Sequence, residues 1–128
     1  MIIQNDGTKP IYLQIAEWIE NEILKGNFNY DDKVYSQYQL AEMFTINPAT
    51  AAKGLKLLVE KRILYKKRGL GMFVTKEAKQ IISSKRKNET LIRLVRELTL
   101  EAKRLHVSED ELIEAIRNEY REFKGDQS

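Results

Sequence analysis

The residues that decide the fold are 47–75, NPATAAKGLKLLVEKRILYKKRGLGMFVT. Asn47 is a favourable N-cap, and Pro48 suits the first helical position because its missing N–H would have no helical partner there. Apolar residues then recur along one face of the predicted helix, at Ala51, Leu55, Leu58 and Val59. Polar and cationic residues fall toward the other face, at Thr50, Lys53 and Lys56. The segment therefore predicts a helix that packs on one side and can face a polyanion on the other.

A β-hairpin is predicted directly after this helix. Two short β-prone runs, residues 63–65 and 72–75, flank the basic sequence KKRGLG. Gly69 and Gly71 can adopt the positive φ angles that a tight turn needs. Three adjacent cations would repel one another, so an external anion is a natural reason for them. A helix followed by a basic hairpin is the layout of a winged helix-turn-helix, in which the hairpin is the wing.

The preceding residues predict the other helices of this fold. Isoleucine at every fourth position from Ile11 to Ile23 indicates a first amphipathic helix. Ser36 and Gln39 have the spacing of a capping box and predict a short second helix, and residues 33–35 could add a short strand. Two short helices separated by a tight turn, the second one cationic, constitute the helix-turn-helix.

Two further amphipathic helices are predicted after Thr75. A long helix is expected over residues 77–105, and His106 falls where it breaks. Ser108 and Glu111 form a second capping box, which predicts the start of the last helix. The fold class expected is therefore mainly α with a small β-hairpin: a winged helix-turn-helix followed by a two-helix tail.

The tail helices need an apolar surface to cover, because a compact winged helix has its own core. The same helix pair in a second copy would provide that surface. We therefore expect a winged helix-turn-helix domain at residues 1–75 and a dimerisation tail at residues 76–128. The positions expected to form the two-fold contact are Leu91, Leu94, Val95, Leu98, Ala102, Leu105, Ile113, Ile116 and Tyr120.

The charge of the chain is concentrated in one segment. The net charge of the 128 residues is only +3. Residues 61–87 hold ten Lys or Arg and one acid, whereas the segments before and after each carry a net charge of −3. A focused basic patch between acidic flanks favours a nucleic-acid partner.

Several classes of function are disfavoured by composition. The chain has no cysteine, which excludes disulfides, thiolate nucleophiles and cysteine metal sites and fits a reducing cytoplasm. His106 is the single histidine and reads as a residue of the turn between helices rather than as a metal ligand. No Ser/His/Asp set, phosphate-binding loop or supported acid pair is present, so neither an enzyme nor a cofactor is expected. We find neither a signal peptide nor an apolar run of the roughly 20 residues that span a bilayer, and we expect a soluble cytoplasmic protein.

Residues 10–75 resemble the GntR family of bacterial transcription regulators. The blocks that carry the resemblance are PIYLQIAEWIENEILKGNF, VYSQYQLAEMFTINPATAAKGLKLL and ILYKKRGLGMFV, in this order and spacing. The start of the third helix and the wing are most similar to the YtrA-type branch, which has a short helical tail in place of a large effector-binding domain. The 53 residues after Thr75 fit such a tail. The resemblance implies dimeric repressors that bind palindromic operators in double-stranded DNA, often those of transporter operons.

The resemblance also implies which residues meet DNA. The family inserts its basic wing tip and first glycine into the minor groove, and Arg68 and Gly69 match these positions. The arginines that family members often carry at the starts of the second and third helices are absent here, and Arg62 replaces the usual glycine between helix and wing. The candidate DNA-binding residues are Ser36, Gln37, Tyr38, Asn47, Pro48, Ala49, Thr50, Lys53, Lys66, Lys67, Arg68, Gly69 and Gly71.

Other functions stay open at the level of the residues. A winged helix can instead recruit another protein, with the tail as the docking surface, or bind RNA without operator specificity. A small-molecule effector is compatible with a repressor, but no residue pattern indicates a pocket for one. Tyr38 could pack against the first helix rather than reach DNA.

Overall fold

The computed structural model describes residues 3–4 and 7–124 of the chain. The described part is mainly helical with one two-stranded antiparallel sheet, as predicted. Its elements are α1 (Ile11–Leu24), α2 (Gln37–Phe44), α3 (Pro48–Glu60), β1 (Leu64–Lys67), β2 (Gly71–Val74), α4 (Ala78–Lys85), a π-helical turn (Arg86–Thr90), α5 (Leu91–Arg104) and α6 (Glu109–Glu122). The chain forms two compact units, of which the first ends at Ser84 and the second begins at Lys85.

The core of the first unit lies between α1, α3, the hairpin and α4. Its largest fully buried side chains include Ile15, Ile19, Leu58, Ile63 and Ile82. Because Ile82 lies on α4, the first turns of the predicted tail contribute to this core, and the compact unit extends beyond the boundary expected at Thr75.

The contact between α1 and α3 depends on a glycine. Gly54 is buried in α3, and a Cβ atom at this position would lie 2.8 Å from the backbone oxygen of Tyr12. That distance is shorter than a van der Waals contact, so only a residue without a side chain allows the two helices to approach this closely. This contact holds α3 against α1.

The predicted caps set the starts of α2 and α3. Ser36 and Gln39 form the capping box, in which the Gln39 N–H donates to Ser36 Oγ at 3.1 Å and the Ser36 N–H donates to Gln39 Oε1 at 2.8 Å. Asn47 Oδ1 accepts from the Ala49 N–H at 2.8 Å. Between the two helices, Thr45 has a φ of 53°, in the left-handed region. This residue reverses the chain between α2 and α3.

A second left-handed residue connects α3 to the wing. Arg62 has a φ of 62°, and its carbonyl oxygen accepts a hydrogen bond from Thr75 Oγ1 at 2.6 Å. The N–H of Ile63 donates to the Leu58 carbonyl at 2.9 Å, which completes a Schellman-type helix end. The conformation explains why a glycine is usual at this position, and Arg62 adopts it with a side chain present.

The hairpin turn is shorter than the sequence indicated. Lys66 and Lys67 belong to β1 and Gly71 begins β2, so the turn contains residues 68–70 rather than 66–71. The Leu70 N–H donates to the Lys67 carbonyl at 2.8 Å, and Gly69 has the expected positive φ, 76°. The strand expected at residues 33–35 was also wrong in extent, because it is reduced to a single bridge between Lys33 and Phe73.

The second unit consists of the π-helical turn, α5 and α6. Residues 78–104 are helical as predicted, but residues 86–90 form a π-helical turn within the span. His106 lies in the turn between α5 and α6 with a φ of 57°, and Ser108 caps α6 in the predicted capping box. Among the nine apolar positions proposed for dimerisation, Ala102 is buried and the other eight are exposed. Of the described helices, none combines the length and the apolar character needed to span a membrane.

Candidate nucleic-acid interface

The first turn of α3 presents a small polar surface. Asn47 and Ala49 are exposed, and Pro48 and Thr50 are half-buried. Asn47 Oδ1 accepts from the Ala49 N–H, which orients the amide group and leaves its two Nδ2 hydrogens as donors. Donors at Asn47, a hydroxyl at Thr50 and a methyl group at Ala49 are groups that can meet base edges in a major groove.

Lys53 lies one turn further along the same helix. Its side chain is exposed, and its ammonium group lies 4.1 Å from the centre of the Tyr12 ring. This cation–π contact restricts the long side chain on the side of α3 that also carries Thr50. The position of Lys53 is therefore set by α1 as well as by α3.

The start of α2 contributes one strongly exposed aromatic side chain. Ser36 and Gln37 are half-buried, and the Ser36 hydroxyl oxygen is an acceptor in the capping box. Tyr38 is 69% exposed, so it does not pack against α1. The structure thus leaves the Tyr38 ring and hydroxyl accessible for contact with a partner.

The wing separates its three cations. The side chains of β1 alternate, so Lys66 and Lys67 lie on opposite faces of the hairpin. Lys66 is exposed, and Arg68 and Gly69 are exposed in the turn. Gly71 is half-buried at the start of β2, with a φ of 119° that favours glycine.

Lys67 is engaged within the chain. Its ammonium nitrogen lies 3.1 Å from Asp31 Oδ1 and 4.2 Å from the centre of the Phe73 ring. The same Asp31 oxygen accepts a hydrogen bond from the Tyr65 hydroxyl. The ammonium group of Lys67, which the sequence assigned to DNA, is therefore occupied by groups of the same chain.

The structure adds two residues that the sequence did not single out for the site. Asp31 lies against the wing, and the side chain of Lys33 lies beside Gly71, where an added Cβ would be 2.9 Å from Lys33 Cε. Segment 31–34 runs beside β2, and the N–H of Val34 donates to the Met72 carbonyl at 2.9 Å. In the sequence, the weak strand pattern at residues 33–35 was the one sign that this segment pairs with another strand. It did not indicate that β2 would be the partner.

Comparison with known proteins identifies the family. The family model for bacterial regulatory proteins of the gntR family matches residues 11–74, which is α1 through β2. The chain belongs to the GntR family. The family expected from the residues is therefore confirmed, and the winged helix-turn-helix fold agrees with it.

Two curated relatives are repressors from Bacillus subtilis (strain 168). The chain is 36% identical to the HTH-type transcriptional repressor NagR over 76 residues, 59% of this chain and 31% of NagR. It is 34% identical to the HTH-type transcriptional repressor YtrA over 73 residues, 57% of this chain and 56% of YtrA. The chain therefore spans about a third of NagR and about half of YtrA. The YtrA match agrees with the branch indicated by the third helix and the wing.

Two solved structures extend these matches. A GntR family transcriptional regulator from Listeria monocytogenes is 30% identical with a TM-score of 0.72, covering 88% of this chain and 97% of that one. The DNA-binding domain of AraR in complex with operator ORX1 is 29% identical with a TM-score of 0.52, covering 56% of this chain and 87% of that one. The proteins matched are transcription regulators rather than enzymes, and AraR uses the shared fold on operator DNA.

Proposed function

We propose that this protein is a sequence-specific DNA-binding transcriptional repressor that acts as a homodimer on a palindromic operator. The observation that carries the proposal is the combination of the accessible first turn of α3 with the exposed cations of the wing. By analogy with the family, the regulated genes form a transporter-type operon, and the protein acts in the cytoplasm, where it has access to the chromosome.

The two parts of the surface have different tasks in this proposal. The first turn of α3 enters the major groove, where Asn47, Ala49 and Thr50 meet base edges and give sequence preference. The wing lies in an adjacent minor groove, with Arg68 and Gly69 at its tip. Lys53, Lys66 and Tyr38 contact the phosphate backbone, which contributes affinity without reading sequence.

The second unit provides the dimer contact in this proposal. Eight large apolar side chains of the proposed set are exposed on α5 and α6 or in the turn after α5, and apolar patches exposed in this way often mark interaction surfaces. Covering it with the same surface of a second copy gives a two-fold axis. Two α3 helices related by that axis bind half-sites roughly one helical turn of DNA (~10–11 bp) apart or somewhat more.

Selection of bound duplexes from a random pool tests the proposal. The expected result is an enriched palindrome, with two half-sites at a constant spacing. Enrichment of a single half-site would contradict the homodimer but retain the DNA-binding function. Absence of enrichment, together with better competition by structured RNA or with no nucleic-acid binding at all, would overturn the proposal in favour of RNA binding or protein recruitment.

A further inference from the structure

An internal salt bridge to Asp31 engages one of the wing's three cations, Lys67. We define the wing latch as Asp31, Tyr65, Lys67 and Phe73, which lie together on one face of the hairpin. Tyr65 and Phe73 are cross-strand partners, and their ring centres are 6.0 Å apart. The latch connects the wing to the segment before α2, which is distant in sequence but runs beside β2.

The backbone at Asp31 is unusual for a residue with a side chain. Its φ is 66°, in the left-handed region, and its N–H donates to the Val74 carbonyl at 2.9 Å. Glycine adopts this conformation at less cost than aspartate does. The presence of a carboxylate there places a negative charge directly against a basic hairpin.

That carboxylate satisfies two groups of β1 at once. Asp31 Oδ1 accepts from the Tyr65 hydroxyl and pairs with the Lys67 ammonium group at 3.1 Å. The same ammonium group lies 4.2 Å from the centre of the Phe73 ring. A phosphate that took Lys67 would have to break these contacts and would leave the Asp31 charge unpaired beside DNA.

We propose that Asp31 is a positioning residue that holds the wing through Tyr65 and Lys67 and withholds Lys67 from DNA phosphate. Lys66 and Arg68, which make no ion pair among the described residues, then carry the wing's phosphate contacts. This inference rests on the proposed DNA-binding function. It assigns a structural role to a lysine that its sequence context groups with the DNA-contacting cations.

Two adjacent lysines provide a matched test. The logarithm of the DNA-binding constant falls linearly with the logarithm of the salt concentration, and each phosphate contact adds about 0.9 to the magnitude of this negative slope. Lys66→Met should reduce the magnitude of the slope by about 0.9 per bound protomer. Lys67→Met should leave the slope unchanged, because Lys67 makes no phosphate contact in this proposal; methionine keeps an apolar side chain over Phe73 and so preserves the packing. The measurement is fluorescence anisotropy of the full chain with a selected duplex between 50 and 200 mM salt. A loss of slope in Lys67→Met equal to that in Lys66→Met would overturn the proposal.

Removing the carboxylate tests the latch from the other side. Asp31→Asn should free Lys67 to bind a phosphate, which should increase the magnitude of the slope by about 0.9 per protomer. This increase should disappear in the double variant Asp31→Asn/Lys67→Met. Glu77→Gln is the control. Glu77 is the exposed acid of the basic segment 61–87, and it makes no ion pair among the described residues. Equal increases in Asp31→Asn and Glu77→Gln would show a general charge effect and contradict the latch.

Two further measurements keep the outcomes separable. Asp31→Gly also removes the carboxylate, and glycine adopts the left-handed backbone conformation readily. If Asp31→Asn folds poorly, Asp31→Gly replaces it and should show the same increase in the magnitude of the slope. Thermal unfolding by circular dichroism identifies variants that are folded. If the unaltered chain binds no duplex at low salt, the proposed function fails; if it binds and Lys67→Met loses slope, only the latch fails.

Discussion

At the scale of single residues, backbone conformation conflicts with side-chain type at several element boundaries. Asp31, Thr45, Arg62 and His106 all have positive φ among the described residues, although none is glycine. Thr45 is the most unfavourable of them, because a β-branched side chain restricts the left-handed conformation strongly. These residues lie at the connections that orient α2, α3, the wing and α6.

Relief of this strain gives a prediction about stability. Thr45→Gly should raise the free energy of unfolding by about 1 kcal/mol, since glycine adopts the same φ without a Cβ clash. Urea unfolding followed by circular dichroism measures the change. The control is Ala52→Gly inside α3, which should lower stability by roughly 0.5–1 kcal/mol, the cost of glycine relative to alanine in a helix interior. A destabilised Thr45→Gly variant would show that the threonine side chain stabilises the fold by more than its left-handed backbone conformation destabilises it.

Base reading gives a second prediction at this scale. Thr50→Ala should cost about 1–3 kcal/mol of binding, mainly at one base position of the operator. Arg68→Ala is the matched comparison and should weaken binding to many sequences by similar factors. Anisotropy with a panel of single-base operator variants separates the two. If Thr50→Ala leaves the ranking of operator variants unchanged, Thr50 does not read a base.

At the scale of elements, the position of α3 depends on its close approach to α1. Helix propensity alone favours alanine over glycine within α3, by roughly 0.8–1 kcal/mol. The 2.8 Å approach of an added Cβ to the Tyr12 carbonyl oxygen acts in the opposite direction, because a backbone atom cannot move aside easily. The sign of one substitution therefore shows which effect dominates.

Gly54→Ala should destabilise the chain by about 1–3 kcal/mol, the usual cost of overpacking a well-packed core. Urea unfolding measures it, with Lys56→Ala as a control at an exposed position of the same helix. The variant should also bind DNA more weakly than its stability alone explains, since α3 would be displaced from α1. A stabilised Gly54→Ala variant would indicate that the two helices separate at little cost.

At the scale of the whole molecule, α5 has apolar residues on more than one side. The stripe from Leu91 to Leu105 was assigned to the dimer contact, whereas Leu100 lies about 200° around the helix from Leu98. Leu98 is 43% exposed and Leu100 is 48% exposed. Replacing either leucine therefore removes a similar amount of packing within a single chain. A partner that covers the stripe distinguishes them.

Leu98→Glu should therefore convert the protein to monomers, while Leu100→Glu should leave the dimer intact. The physical reason is that a carboxylate buried in an apolar contact without a partner is strongly unfavourable. Analytical ultracentrifugation at micromolar concentration measures the result. A monomeric unaltered chain, or equal effects of the two substitutions, would contradict the proposed stripe.

The sequence by itself determined the helices, their caps, the hairpin and the family. These features depend on signals that act over a few residues: the capping boxes at Ser36 and Ser108, the Asn47–Pro48 helix start and the helical spacing of apolar side chains. The charge pattern also located the basic wing. Local chemistry was sufficient for each of these because the interacting groups are close together in the chain.

Only the tertiary structure decided which groups meet across the chain. The pairing of Asp31 with Lys67 and the burial of Ile82 in the first unit both depend on distant segments. The hydrogen bond between Tyr65 and Asp31 joins residues 34 positions apart, and no periodicity relates them. The physical reason is that charge and hydrogen-bond pairing depend on distances in space, which the fold sets.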